Sequence, residues 1–152
     1  MPSIAADQRA PTYLPTGYRL SHKTPGTAVP RLGGTRDQVT FTYLRTFAVN
    51  ELPLRLAIAN GAHLVLKGTE QRVGERLSLN GGSIMGVYHD GSWSAGSGSD
   101  QVELPSGLIH WDRIQYHSLT ATVGSESYVV QAPTDISVNE LARVVTSIPG
   151  LG

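Results

Sequence analysis

Gly107-Leu-Ile-His-Trp-Asp-Arg-Ile-Gln-Tyr-His-Ser-Leu-Thr-Ala-Thr-Val-Gly-Ser-Glu-Ser-Tyr-Val-Val-Gln-Ala132, followed by Ile136-Ser-Val-Asn-Glu-Leu-Ala-Arg-Val-Val-Thr-Ser-Ile148, decides the fold. The first run reads as three strands rich in β-branched and aromatic residues, with Gly124-Ser125 as the turn of the last hairpin. The second reads as a helix. Ser137 and Glu140 match a capping box, in which each side chain accepts the other's exposed backbone N–H. Val138, Leu141, Val145 and Ile148 then recur at helical spacing, leaving Asn139, Glu140, Arg143 and Thr146 toward water. Pro149-Gly150 ends the helix. A lone amphipathic helix has to bury its stripe, and the surface available to it is a sheet face. The expected class is α+β, a mostly antiparallel β-sheet with a C-terminal amphipathic helix packed on one face.

Working outward, Val39-Thr-Phe-Thr-Tyr43 and Leu54-Arg-Leu-Ala-Ile58 alternate strictly, as half-buried antiparallel strands do. Tyr18 to Ser21 suggests a short strand, and His22 to Asp37, with two prolines and several glycines, a long loop. Arg45 to Pro53 is a connection too long for a tight hairpin. His63 to Lys67 and Arg76 to Asn80 are further short strands around the polar stretch Gly68 to Glu75. Asp90-Gly91, between Ser83–His89 and Ser92-Trp-Ser94, carries a strong hairpin signal because type I′ turns need positive φ at both central residues. Ala95 to Gln101 is flexible by composition. Residues 1–12 form a loose lead-in and residues 13–152 one α+β domain.

A chain of 152 residues buries enough surface to fold without a metal or disulfide. Twelve basic residues balance twelve acidic ones, so the field that gathers phosphate backbones is missing and nucleic acid is not an expected partner. The lack of cysteine excludes disulfides and thiolate chemistry. No stretch reaches the ~20 apolar residues of a membrane span, and the first residues lack the apolar segment of a signal peptide.

Chemistry-bearing candidates are few. His110 and Asp112 share a face of an extended strand, and a neighbouring strand could bring His117 close, giving a metal site or a hydrolase centre. The competing reading puts Ile109 and Trp111 on the buried face and leaves His110 and Asp112 in water. A triad from His89, Asp90 and a serine has no motif behind it, and Asp90 is explained by its turn. Gly96-Ser-Gly98 lacks the lysine and helix start of a phosphate loop. Trp111 reads as core, while Trp93, near a turn among serines, is a candidate ligand or partner contact. Arg31 and Arg36, in the long loop, are the candidate contacts for an acidic partner.

Tyr13-Leu-Pro-Thr-Gly-Tyr-Arg-Leu20, Val39-Thr-Phe-Thr-Tyr43, Gly82-Ser-Ile-Met-Gly86, Leu108-Ile-His-Trp111, Tyr128-Val-Val130 and the closing Ser137 to Ile148 run together resemble a bacterial domain found near lipoprotein-carrier-like and anti-sigma-factor modules. The order is also similar to the C-terminal domain of MucB/RseB-type regulators. The resemblance implies an extracytoplasmic location, no established catalytic residues and a role as a binding or sensing module. Together with a well-specified scaffold that lacks a chemical constellation, it gives the expectation of a non-catalytic module without a cofactor, its partner a protein or a small apolar ligand. It carries no functional residues over, because the matching positions are ones that fold the chain.

Overall fold

The computed structural model describes residues 10–25, 39–45, 53–60, 74–82, 84–98, 101–104, 107–123 and 126–149. The candidates Arg31 and Arg36, the strand expected at His63–Lys67 and the Gly124-Ser125 turn lie outside the described residues. Ten strands, a short 3-10 turn at Asn80–Gly82 and one C-terminal α-helix make up the regular structure within them. The strands are β1 (Tyr18–Pro25), β2 (Val39–Arg45), β3 (Leu54–Asn60), β4 (Gly74–Leu79), β5 (Ile84–His89), β6 (Ser92–Ala95), β7 (Val102–Leu104), β8 (Gly107–Asp112), β9 (Tyr116–Val123) and β10 (Glu126–Pro133), and the helix is α1 (Val138–Thr146). They form a seven-stranded sheet in the order β1-β2-β3-β10-β9-β5-β4 and a three-stranded sheet in the order β6-β8-β7. Every pairing is antiparallel.

Side-chain alternation gives the large sheet two different faces. On one, Phe41 and Tyr43, Leu54 and Leu56, Leu119 and Ala121, and Tyr128, Val130 and Ala132 join the helix in a single core. Leu141, Val144, Val145 and Ile148 enter that core from α1 and its C-terminal turn, each burial contributing about 1.5–3 kcal/mol. Val144 takes the place the spacing gave to Val138, which is only half-buried. Ser137 caps the helix as expected, its hydroxyl accepting the Glu140 amide at 3.2 Å. Glu140's carboxylate accepts the Tyr13 hydroxyl. The Tyr13 ring lies 4.2 Å beneath the Arg143 guanidinium, and Thr12, inside the expected lead-in, donates both its amide and its hydroxyl to the Ser147 carbonyl. Chain entry and helix exit are therefore tied together.

Two expectations are corrected. β1 does not stop at Ser21 but continues to Pro25, with a register shift between Leu20 and His22. Proline is tolerated there because β1 is an edge strand among the described residues and Pro25 is its last residue. The Asp90-Gly91 hairpin is absent: β5 pairs with β4 and β9 in the large sheet, whereas β6 pairs with β8 in the small one. Gly91 does not take a positive φ. Its missing side chain serves packing, since a Cβ there would come within 2.5 Å of Trp111 Nε1 and 2.8 Å of the Asp112 carbonyl oxygen.

Candidate functional site

The most chemically varied region is the corner at which the chain passes between the two sheets. β5 and β9 pair from Met85↔Thr122 to His89↔Ser118, and β6 and β8 resume pairing at Ser92↔Asp112. Two residues separate these registers on one strand and five, residues 113–117, on the other. The longer outer path lets a paired ribbon turn sharply and fold back on the large sheet. β6, β7 and β8 are thus an excursion between two strands that are already neighbours.

Alternation aims Trp93 and Trp111, a directly opposed pair, into the space between the sheets. Their rings meet edge to face at 5.2 Å, the geometry that aromatic quadrupoles prefer. Trp93 is only 6 % exposed; its place is in this second core and not on a rim, because the register forces it to the same side as Trp111. His89 meets the Trp111 ring edge to face at 5.7 Å. A row of paired residues crosses the facing surface of the large sheet: Thr42, Arg55, Gln131, Ser118 and His89. From this row Ser118 Oγ donates to the Gly91 carbonyl at 2.8 Å and Gln131 Nε2 donates to the Trp93 carbonyl at 3.0 Å. Sequence reasoning missed both tethers. The signal for one was present, since alternation puts Gln131 opposite Val130, and a glutamine buried within a strand needs a partner.

His110, Asp112 and His117 are not brought together. Strand β8 sends Ile109 and Trp111 inward and His110 outward, where Nδ1 lies 3.3 Å from the Gly96 carbonyl oxygen and the ring fills the space beside Gly98. Asp112 Oδ1 accepts the amides of Ile114 and Gln115, both at 2.9 Å, which caps the corner turn. His117 lies across the large sheet on the helix side, opposite Ala132 in register, with Nδ1 2.9 Å from the Tyr88 hydroxyl. No group of three or more potential metal ligands occurs among the described residues.

Burial pushes the imidazoles of both His89 and His117 below the ordinary histidine range; Asp90 partly opposes this at His89, and backbone groups of Ile136 and Pro133 do so at His117. Both rings are therefore neutral at pH 7. Asp90 itself is exposed and lies 3.8 Å from Arg113 across the corner. No helix among the described residues is long and apolar enough to cross a membrane.

Comparisons with protein-family models, with curated proteins and with solved structures returned no match.

Proposed function

We propose that this chain is a non-catalytic extracytoplasmic binding or sensing module, as its resemblance to MucB/RseB-type regulators implies, with a protein partner or a small apolar ligand as its target. The supporting observation is the use the fold makes of its reactive groups. Asp112 holds a turn through two backbone amides, His117 is tied to Tyr88, and His89 is sealed against Trp111. Each thereby has a structural task that a catalytic or ligand-binding role would have to disturb. The exposed apolar side chains Leu20, Leu44, Met85 and Ile114 lie apart in sequence, and such residues are where a partner would find apolar contact.

A hydrolase panel run on the tag-free chain, with metal analysis of the same sample, checks this reading. The expected outcome is no turnover and no stoichiometric zinc. Turnover abolished by His110→Ala or His89→Ala, or one zinc per chain, would overturn it. Cell fractionation tests the compartment separately, and recovery in the cytosolic fraction would sink the extracytoplasmic part.

A further inference from the structure

We propose that the three-stranded sheet β6-β8-β7 is an acid-released flap, held over the large sheet around His89 and let go when that imidazole gains a proton. The connectivity allows it to leave as a unit. Its own ladders, β6 to β8 and β7 to β8, are internal, and the β5–β9 ladder beneath closes without it. The chain joins the two parts at Asp90-Gly91 and at residues 113–115. Across the gap Ser118 donates a side-chain hydrogen bond to the Gly91 carbonyl and Gln131 one to the Trp93 carbonyl.

His89 sits where separation would begin. It is 5 % exposed, its ring is against Trp111, and Nε2 would lie 3.0 Å from a Cβ placed on Gly74. Its Nδ1 has no hydrogen-bond partner among the described residues. A second proton would therefore put a charge into a buried, closely packed space with no acceptor for the Nδ1 hydrogen bond among the described residues. The groups that face it do not compensate well. From β9 comes Ser118, whose hydroxyl is turned to Gly91. From β4 come Gly74 and, one pair further along the same face, Arg76, a like charge. Trp111 approaches from β8, and the Asp112 carboxylate next to it is turned to the Ile114 and Gln115 amides. Asp90 is the acid that favours the charged form, but it is solvent-exposed and shared with Arg113. Glu75 lies opposite Tyr88, on the other face. Moving β8 away opens His89 to water, where the charge is hydrated. The driving force follows from burial, which holds the closed-state imidazole below its ordinary range: the open state binds the extra proton, so the open-to-closed ratio rises as pH falls, by up to about tenfold per pH unit.

Both tryptophans of the chain are in this interface, so their emission reports the flap directly. In the unsubstituted chain, acidification from pH 7 to pH 5 is expected to shift tryptophan emission to the red while far-UV circular dichroism is retained. His89→Gln, which cannot take up the proton, abolishes the shift in this range, and His117→Gln keeps it. An emission spectrum constant down to pH 5 overturns the proposal. So does a shift that coincides with loss of circular dichroism in the unsubstituted chain, a result that stands whether or not the variants fold. An unchanged midpoint in His89→Gln overturns it as well.

Discussion

Gly91 shows how one missing side chain fixes the path of the whole excursion. A methyl group there meets an indole nitrogen at 2.5 Å and a backbone oxygen at 2.8 Å, and a backbone atom cannot rotate aside. Gly86 offers the contrast: a Cβ would meet the tips of Leu119 and Leu79, each at 3.2 Å, and leucine ends can shift by a few tenths of an ångström. Gly91→Ala is accordingly expected to destabilise by about 1–3 kcal/mol, in the range of overpacked cores, and Gly86→Ala by less. Chemical denaturation of the two variants side by side checks this order; equal losses would show that Gly91 is not a tight contact between the sheets. The same residue shows what a local reading misses. An Asp-Gly pair signals a turn because it tolerates positive φ, yet here the glycine is selected by close approach, and the two requirements look identical in one sequence.

At the level of elements, what could be read from sequence follows the range of the interactions that decide it. Helix α1 was legible because its cap and stripe are encoded within a dozen residues. Ser137→Ala should remove the hydrogen bond to the Glu140 amide and destabilise by about 1 kcal/mol, with little change in the dependence on denaturant, since the surface exposed on unfolding is the same. A loss under ~0.3 kcal/mol by urea denaturation, small against that cap value, would mean the tie from Tyr13 to Glu140 and Arg143 holds the helix start unaided. Strand existence was legible too: β2 and β3 stand where alternation put them, and β9 and β10 lie in the runs rich in β-branched and aromatic residues. Sheet membership was not. β5 running into β6, and β8 into β9, look locally the same whether they pair as hairpins or cross to a second layer, and the choice rests on contacts such as Ser118 with Gly91. The candidate site inherited that ambiguity. His110 and Asp112 were correctly placed on one face of a strand, but His117 follows the five-residue outer path of the corner, and that path carries it to the far side of the large sheet.

For the whole molecule, the two histidines that are buried among the described residues couple folding to pH. One lies in each core: His89 between the sheets, and His117 between the large sheet and the segment leading into α1. Both have their imidazoles held below the ordinary value by burial, so the unfolded chain, with histidines near pH 6.5, binds protons that the native state refuses. The sign follows directly. Stability from these sites is fully present above about pH 6.5 and is lost as pH falls through that value toward the depressed native ones, with a slope of up to about 1.4 kcal/mol per pH unit for each histidine. Unfolding by urea, followed by far-UV circular dichroism at pH 5, 6, 7 and 8, should therefore give a free energy that rises from pH 5 to 7 and levels off by pH 8. His89→Gln and His117→Gln should each flatten the rise by roughly half of that two-site slope, because the rings sit in separate layers and share no partner. If both single variants keep the full slope between pH 5 and 7, the dependence belongs to carboxylates instead, and the burial of these two rings is not what ties the fold to neutral pH.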